Sequence, residues 1–475
     1  MMKNTAYHLA IDIGASGGRH ILGAIEDGKL TTKEIYRFEN GAQMKGKHLC
    51  WDAAALVDHV LAGLRECGRM GIKPVSVGID TWGVDFALLD RQGSLVGDIV
   101  AYRDSRTEGM DTILEKTMPY QTLYEITGIA KQPFNTVYQL MAVLKEHPEY
   151  RDTVDDFLIL PEYLSYRLTG KKAHEETNLS TGALLDAKTR SWSMKTIRAA
   201  QLPEKWFQTP IVKAGTVLGS FLPEIQSDVG FDATVILPAT HDTGSAFMAV
   251  PARDDKAVFL SSGTWSLLGT ELMRPLTGLD SLKAGFTNEM GYGGTTRYLK
   301  NIMGMWMMQS VRREIGMHLT YDEIADLAAS SDYDYYVDAT DNRFLAPQSM
   351  RDELVRALGD QHVPAPQEDK DIFRVVLLSL AMCYRDSIRE LGKMTGVMFT
   401  SVNIVGGGSK DVTLNRLTSK VTGLPVYAGP KEGTALGNLI AQMITSGEIP
   451  DLQTARRMIK ESFQIKKYVE KNAEA

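Results

Sequence analysis

Asp12 is the one carboxylate in an apolar run, LAIDIG at residues 9–14, and the chain then turns through four small residues, ASGG at 15–18. Glycine allows a tight turn, and a concave turn directs its main-chain N–H groups at phosphate oxygens. A carboxylate beside such a turn is placed to hold a cation. The pattern predicts that phosphate and a cation meet here, and a plain β-hairpin with a glycine turn is the alternative.

Two later glycine turns favour the first interpretation. The stretch AVFLSSGTWSLLG at 257–269 repeats the order of strand, turn and strand about half a chain length later, and its turn at 262–264 offers amides and two hydroxyls. The triple glycine at 406–408 follows a strand-like NIV and precedes a helix-like stretch, which suits phosphate binding or the close approach of a flat ring. The sequence at these turns has neither the P-loop lysine nor the GxGxxG spacing, so both of those nucleotide folds are disfavoured.

Asp242, in ATHDTGS at 239–245, is the residue that we expect to transfer a proton. The alternative is a purely structural role, because an aspartate between a strand and a helix is a good N-cap. At a helix N-terminus the dipole should lower its pKa and keep it ionised at pH 7, as a modest base. That suffices for phosphoryl transfer, in which positioning and charge stabilisation supply most of the rate enhancement.

The periodicity of the chain predicts the elements that position these residues. The first hairpin leads to a third antiparallel strand at 31–40 and then to a helix capped by Asp52 and ended by Gly71. In the segment 74–97 a polar loop, 81–85, follows a strand, and ligands of open α/β sheets gather at such strand ends. Further segments are predicted as follows: a strand at 156–161, a strand and then a helix from near 242 within 233–250, helices at 136–146, 162–168, 302–311, 372–391 and 434–446, and a βαβ unit at 401–429.

Length and composition favour a two-domain protein that handles small molecules. At 475 residues we expect two domains, 1–250 and 251–475, joined by the polar stretch 251–256. The net charge of −7, with both signs mixed along the chain, gives no electrostatic case for nucleic acid or membrane binding. Cys50, Cys67 and Cys383 have no paired spacing, so neither disulfides nor a zinc site is expected. With no signal-type segment and no membrane span in the sequence, we expect a cytoplasmic protein, as a monomer, with an oligomer left open.

Seven stretches resemble the FGGY carbohydrate kinases of the actin, Hsp70 and hexokinase superfamily, and together they cover nearly the whole chain. The glycine turns are shared by the superfamily, whereas TWGVDF, AYRDSR and LKNIMG are more specific and are most similar to the members that phosphorylate L-rhamnulose. The stretches are IDIGASGGR (11–19), GIDTWGVDFALLD (78–90), AYRDSRT (101–107), HDTGSA (241–246), LSSGTWSLLG (260–269), LKNIMGMW (299–306) and IVGGGS (404–409).

This resemblance implies an α/β fold of two ribonuclease H-like domains around a nucleotide cleft, the first binding the sugar and the second the nucleotide. It implies transfer of the γ-phosphoryl group of ATP to the C1 hydroxyl of L-rhamnulose, in rhamnose catabolism. By position, Asp242 matches the proton acceptor, and Asp12 matches the carboxylate that orients Mg²⁺ through water. The positions that match sugar contacts are Gly83, His241, Asp242, Thr243 and Asn301. The positions that match ATP contacts are Ala15, Ser16, Gly17, Gly18, Arg19, Thr264, Gln309 and Gly407.

The sequence departs from the family pattern at one position, and two alternatives to this function stay open. Gly17 stands where these kinases often have a second serine, and restoring the serine is expected to change ATP affinity by less than about 1.5 kcal/mol, a typical net hydrogen bond. The substrate could instead be a related ketose such as L-fuculose, because a few loop contacts decide sugar specificity. A non-catalytic ATPase or sugar sensor of the same superfamily is the more distant alternative, since a fold does not fix a function.

Overall fold

The computed structural model describes residues 5–345 and 347–470. The chain forms two compact units. Within the described residues, the first contains 5–249, 271–298 and 434–462, and the second contains 250–270, 299–345, 347–433 and 463–470. This division differs from two consecutive domains of 1–250 and 251–475, because two later segments pack into the first unit and supply it with side chains.

The elements are numbered here in chain order. The strands are β1 His8–Gly14, β2 Gly17–Glu26, β3 Lys29–Glu39, β4 Gln43–Lys45, β5 His48–Trp51, β6 Ser76–Thr81, β7 Phe86–Leu89, β8 Ile99–Val100, β9 Asp156–Ile159, β10 His174–Glu175, β11 Leu185–Asp186, β12 Ser191–Trp192, β13 Ile211–Val212, β14 Thr216–Ser220, β15 Thr234–Leu237, β16 Ala257–Ser262, β17 Trp265–Leu272, β18 Thr287–Met290, β19 Thr296–Met303, β20 Ser401–Val405, β21 Val426–Ala428 and β22 Lys466–Tyr468.

The α-helices are α1 Ala53–Arg69, α2 Met110–Glu115, α3 Tyr120–Thr127, α4 Thr136–Glu146, α5 Tyr150–Thr153, α6 Leu160–Thr169, α7 Glu176–Leu179, α8 Met194–Ala199, α9 Pro223–Val229, α10 Asp242–Met248, α11 Leu279–Lys283, α12 Trp306–Ile315, α13 Tyr321–Ser330, α14 Met350–Asp360, α15 Asp369–Thr395, α16 Val412–Thr422, α17 Gly433–Thr445 and α18 Leu452–Ser462. Short 3-10 helices cover Ser105–Thr107, Ser180–Gly182, Glu204–Phe207, Tyr292–Gly294, Asn342–Phe344 and Gly407–Lys410. Within the described residues, no helix combines the length and the apolar character needed to cross a membrane.

The two units repeat one sheet topology. In the first, the strand order is β3-β2-β1-β6-β15-β14, with β1 antiparallel to β2 and parallel to β6. In the second, the order β19-β17-β16-β20-β21-β22 has β16 antiparallel to β17 and parallel to β20. Each sheet thus contains one of the two hairpins predicted from the glycine turns, β1–β2 in the first unit and β16–β17 in the second. Strand β3 is the predicted third strand.

Local signals set most helix ends. The Asp52 side chain accepts from the N–H of Ala55 and starts α1, and Gly71 with φ +70° follows its end, as predicted. The predictions for α4, α15 and α17 are confirmed, and 401–429 forms the predicted βαβ unit with β20 parallel to β21.

The helix predicted at 302–311 is wrong at its start. Residues 302 and 303 belong to β19, which also contains Asn301, and α12 begins at Trp306. The apolar run is buried both in its strand part and in its helix part, where Ile302, Met307 and Met308 are fully inaccessible to solvent. Because a buried strand and a buried helix show the same continuous apolar pattern, periodicity cannot separate them over so short a run.

Helix α17 packs in the first unit although it comes late in the chain. Its Ala435 and Leu439 form a buried cluster with Ala10 of β1 and Ile21 of β2. Its polar face reaches the same sheet through Asn438 and Gln442. The first unit is thus completed by residues from near the C-terminal end of the described chain.

Candidate active site

The first glycine turn consists of two residues, Ala15 and Ser16, because Gly14 and Gly17 already pair across β1 and β2. Asn40, which follows β3, braces the turn: its side-chain amide donates to the Gly14 carbonyl at 2.9 Å and its N–H to the Ser16 carbonyl at 3.3 Å. Sequence reasoning missed Asn40, since its contact with the turn depends on the third strand.

Gly17 lies where β2 approaches β3 closely. A β-carbon there would be 2.9 Å from the backbone carbonyl oxygen of Phe38, so a side chain requires the strand to move. Gly17→Ser is therefore expected to lower the free energy of unfolding by about 1–3 kcal/mol, as overpacking does. Denaturant unfolding measures this, with Gly41→Ser, in open space, as the control. Equal stability of the two variants would contradict the steric reason for Gly17.

Asp12 meets a second carboxylate at the ends of neighbouring strands. It is paired in register with Asp80 of the parallel strand β6, and its Oδ2 accepts from Arg19 Nε at 3.1 Å. Asp80 is fully buried, and burial, together with the charge of Asp12, raises its pKa well above the ordinary value. Asp80 Oδ2 accepts from Asn438 Nδ2 at 2.6 Å, whereas Oδ1 has no hydrogen-bond partner among the residues that the structure describes.

A buried chain of hydrogen bonds holds α17 against this carboxylate pair. Gln442 donates to Asn438 Oδ1 at 2.7 Å and to the Leu9 carbonyl at 3.0 Å, and it accepts from Ser76 Oγ at 2.6 Å. Ser76 in turn contacts His8, whose other ring nitrogen lies 2.7 Å from the Glu448 carboxylate. Asp80 is therefore fixed from the helix side.

The arrangement suits a hydrated cation. Within the described residues, no group of three or more His, Cys, Asp or Glu side chains is arranged to enclose a metal. Mg²⁺ keeps several waters and commonly uses one or two carboxylates together with substrate phosphates. The adjacent Asp12 and Asp80, with one orphaned buried carboxylate oxygen, supply that kind of partial site beside the phosphate-type turn.

The loop after β6 is strained and firmly held. Val84 has φ +70°, an outlier for a β-branched residue that persists only where its surroundings over-determine it. Thr136 Oγ1 donates to the Val84 carbonyl at 2.8 Å. The buried Asp85 carboxylate accepts from both Trp51 Nε1 at 2.6 Å and Trp82 Nε1 at 2.9 Å, and burial raises its pKa to about 6. Asp85 is thus a structural carboxylate that shapes the loop.

The strained loop brings Gly83 to His241. A β-carbon at Gly83 would lie 3.3 Å from His241 Nε2, and Thr81 forms a parallel bridge to His241. The preceding residue, Thr240, donates its N–H and its hydroxyl to the buried Glu175 at 3.0 and 2.9 Å. Two of the predicted sugar positions therefore meet on a backbone that Glu175 holds.

Burial raises the pKa of Glu175 from 4.5 to about 7, against the hydrogen bonds of Thr177 and Thr240. The folded state thus holds this proton more tightly than the unfolded chain, and the stability that it contributes is lost as the pH rises from 4.5 to about 7. Relative to wild type, Glu175→Gln should gain up to about 3 kcal/mol of unfolding free energy over that range, at roughly 1.4 kcal/mol per unit. Urea unfolding at several pH values measures the difference, and a flat difference would mean that the carboxylate is ionised throughout.

Asp242 is the first residue of α10, and His241 is the N-cap. Asp242 Oδ1 accepts from the N–H of Thr243 at 2.6 Å, and 35% of the side-chain surface is exposed to solvent. Burial of most of the site raises its pKa, and His241 and the N–H of Thr243 only partly offset that effect. The prediction of a lowered pKa is therefore wrong, because the effect of burial exceeds that of the neighbouring groups that favour the ionised form.

Two residues that sequence reasoning missed stand behind His241. Arg297, at the start of β19, is fully buried and donates to His241 Nδ1 at 3.2 Å and to Thr243 Oγ1 at 3.3 Å. Its Nη1 lies 3.0 Å from the Oε2 of Glu289 on β18. Burial opposes the ionisation of Glu289, but the charge of Arg297 lowers its pKa overall. Glu289 and Arg297 are the two charged residues of the stretch 286–299, FTNEMGYGGTTRYL, and this was the available signal.

In the second unit, the turn between β16 and β17 is packed against the junction of β19 and α12. The carbonyls of Gly263 and Thr264 accept from the N–H groups of Met305 and Trp306 at 3.1 and 3.0 Å. Gln309 lies one turn into α12, where its N–H donates to the Met305 carbonyl. Thr264 and Gln309 are therefore brought to one junction, and Asn301 lies on the strand that enters it.

The triple glycine packs on the other side of the same turn. A β-carbon at Gly406 would lie 2.8 Å from the carbonyl oxygen of Ser262, and one at Gly408 would overlap its hydroxyl oxygen. Gly407 between them has no atom within 4 Å of its β-carbon position among the described residues, which leaves room for a ligand. The second unit thus brings Thr264, Gln309 and Gly407 to one turn. The first unit brings Gly83, His241, Asp242 and Thr243 together and contains the turn at 15–18, with Asp12 and Arg19 in contact beside it.

The chain matches a known protein family and is similar in sequence to named proteins of other organisms. Residues 7–249 match the model of the N-terminal domain of the FGGY family of carbohydrate kinases, and residues 258–446 match that of its C-terminal domain. A rhamnulokinase of Halalkalibacterium halodurans is 43% identical over 470 residues, covering 98% of this chain and 100% of that protein. A rhamnulokinase of Bacillus subtilis is 37% identical, covering 98% of this chain and 96% of that protein.

Solved structures show the same fold at lower sequence identity. The gluconate kinase of Lactobacillus acidophilus matches with a TM-score of 0.80 at 16% identity, covering 98% of this chain and 94% of that chain. The xylulose kinase of the same organism matches with a TM-score of 0.79 at 17% identity and the same coverage. At these identities the likeness shows the two-domain sugar kinase fold and says nothing of the substrate.

Proposed function

Because this chain belongs to the FGGY family of carbohydrate kinases, we propose that it transfers the γ-phosphoryl group of ATP to the C1 hydroxyl of L-rhamnulose. The product is L-rhamnulose 1-phosphate, an intermediate of rhamnose catabolism. The observation that carries the choice of sugar is the 37–43% identity, over nearly the full length, to proteins named rhamnulokinase. The TWGVDF and LKNIMG stretches, which first pointed to this sugar, are consistent with it.

The first unit carries the proposed sugar site. The sugar binds against Gly83, His241 and Thr243, whose side chains or backbone converge beside Asp242. Asp242 takes the proton of the C1 hydroxyl as the C1 oxygen attacks the γ-phosphorus, and ADP leaves as the bond to its terminal oxygen breaks. Its raised pKa favours proton uptake relative to an exposed carboxylate, which suits a general base.

The proposed nucleotide contacts lie at the glycine turns. In the first unit the amides of residues 15–18 and Arg19 face the phosphates, and in the second Thr264, Gln309 and Gly407 contact the remainder of ATP, while Asn301 contacts the sugar. Asp12, with Asp80 beside it, would hold Mg²⁺, which when bound neutralises charge on the phosphates. Removal of the ion with a chelator should therefore abolish turnover.

A panel of ketoses tests the proposal. Purified protein is given ATP, Mg²⁺ and one ketose at a time, ADP release is followed, and the phosphate on the product is located by phosphorus-proton coupling in NMR. L-rhamnulose is expected to give the highest kcat/KM, with the phosphate on C1. A higher kcat/KM for L-fuculose would assign the enzyme to that sugar instead, and ATP hydrolysis unaffected by any sugar would indicate an ATPase or sensor.

A further inference from the structure

The buried guanidinium of Arg297 constrains the protonation of its neighbour. An arginine carries five N–H donors and no acceptor. Arg297 Nε donates to the Met290 carbonyl at 3.1 Å, and Nη1 donates to Thr243 Oγ1 at 3.3 Å and lies 3.0 Å from Glu289 Oε2 as an ion pair. Nη2 serves the Thr177 carbonyl at 3.2 Å and His241 Nδ1 at 3.2 Å. Because a guanidinium only donates, the hydrogen bond from Nη2 requires His241 Nδ1 to be an acceptor.

The opposite tautomer would be costly in this environment. A hydrogen on Nδ1 would place an N–H of His241 against an N–H of Arg297, and one donor of a fully buried guanidinium would lose its partner. Glu289 Oε2 lies 3.3 Å from His241 Nδ1, but within the described residues this oxygen takes part in no hydrogen bond, and the Thr243 hydroxyl, 3.1 Å from Nδ1, can itself donate. The neutral ring therefore carries its hydrogen on Nε2.

The Nε2 edge of His241 faces the positions where the chemistry is expected. Nε2 lies 3.3 Å from Asp242 Oδ1 and 3.0 Å from Thr243 Oγ1, and a β-carbon at Gly83 would be 3.3 Å away. Asp242 Oδ1 also accepts from the N–H of Thr243 at 2.6 Å. Asp242 Oδ1 thus faces both the Thr243 N–H and His241 Nε2, and Oδ2 is the oxygen that Asp242 can offer to an incoming hydroxyl.

We propose that Arg297, held by Glu289, is a positioning residue that fixes His241 as the Nε2–H tautomer, so that His241 donates toward Asp242 Oδ1 and Asp242 Oδ2 receives the substrate proton. The part that concerns proton transfer rests on the proposed kinase function. The tautomer itself follows from the contacts of Arg297 alone. The role is one of orientation, because Arg297 reaches the proposed sugar contacts only through His241 and Thr243.

The tautomer is tested on the wild-type enzyme by NMR with ¹⁵N-labelled histidine, since the two ring nitrogens of a neutral histidine have distinct shifts. His241→Asn identifies the signal by its loss. We expect the Nε2–H form near pH 7.5 without any ligand. A ring with its hydrogen on Nδ1 would overturn the proposal, whatever the kinetics, and this measurement needs no variant of Arg297 to fold.

Arg297→Lys tests the consequence for the reaction. Lysine keeps the charge but has three N–H donors for the four hydrogen-bond acceptors around Arg297, so we expect a mixture of tautomers and a fall in kcat of about 10-fold or more, as misplacement of reacting groups produces. Arg190→Lys is the matched control: Arg190 forms a similar pair with Glu176 and donates to the carbonyls of Gly294 and Thr295 without contacting His241. The control should keep the tautomer, with kcat within about twofold of wild type.

The outcomes separate this inference from the proposed function. An Arg297→Lys enzyme with wild-type kcat and an unchanged His241 spectrum would overturn the positioning role. If the wild type phosphorylates no ketose yet shows the Nε2–H form, the proposed function fails and the assignment of the tautomer stands. If Arg190→Lys loses as much kcat as Arg297→Lys, the effect belongs to the segment 290–297 as a whole and the specific role is refuted.

Discussion

Asp242→Asn is expected to lower kcat by about 100-fold or more, the range usual for loss of a general base, while the affinities for ATP and the ketose stay near wild type. Asparagine can still accept the hydrogen bond that the N–H of Thr243 now gives to Asp242 Oδ1 at 2.6 Å. The first turn of α10 should therefore persist, and thermal unfolding should change little. Steady-state kinetics with both substrates measures the effect.

The same variant carries a pH test. An aspartate accepts a proton only when it is ionised, and burial raises the pKa of Asp242 above its ordinary value of 3.8. The acidic limb of kcat against pH should consequently lie above pH 3.8 in the wild type and should disappear in the residual activity of Asp242→Asn. Near-normal turnover of the variant would instead leave Asp242 with only a structural role at the start of α10.

Gly304→Ala is expected to destabilise the second unit and to weaken nucleotide binding together. The added β-carbon would lie 2.5 Å from the carbonyl carbon of Trp265, 2.6 Å from the N of Ser266 and 2.8 Å from the carbonyl oxygen of Thr264. These are backbone atoms of the β16–β17 hairpin, so the hairpin and α12 must separate. We expect a loss of about 1–3 kcal/mol in unfolding free energy and at least a 10-fold loss in ADP affinity.

Denaturant unfolding and calorimetric titration with ADP measure the two effects. Gly359→Ala in α14 is the control, because its β-carbon has no atom within 4 Å among the described residues and alanine favours a helix over glycine by up to about 1 kcal/mol. If Gly304→Ala unfolds and binds ADP as this control does, the turn is not held by the junction of β19 and α12.

The elements that sequence could predict are those with local signals. The cap at Asp52, the two hairpins and the βαβ unit follow from adjacent residues, and they are all present. The predicted boundary between β19 and α12 was wrong because a buried strand and a buried helix have the same continuous apolar sequence pattern over a few residues. The predicted direction of the Asp242 pKa shift was wrong for a related reason. The helix terminus can be recognised from adjacent residues, whereas burial depends on segments that are distant in the sequence.

The candidate site shows the same division. Gly83, His241, Asp242 and Thr243 were found because they lie in motifs, and the structure brings them together. Glu289, Arg297 and Asn438 lie outside the motifs, and Asp80 lies within GIDTWGVDFALLD but carried no signal of its own role. Their roles arise from pairings between positions far apart in the chain, such as Asn438 with Asp80, which no pattern in a single sequence reveals.

The late position of α17 has a consequence for how the protein is made. During synthesis, β1, β2 and β6 leave the ribosome hundreds of residues before the helix that covers Ala10 and Ile21 and bonds to Asp80. Until then the nascent sheet presents an apolar strip and a buried-type carboxylate without their partner, a surface that chaperones bind. Premature termination anywhere before residue 433 should leave an aggregation-prone fragment, even though most of the first unit has already been translated.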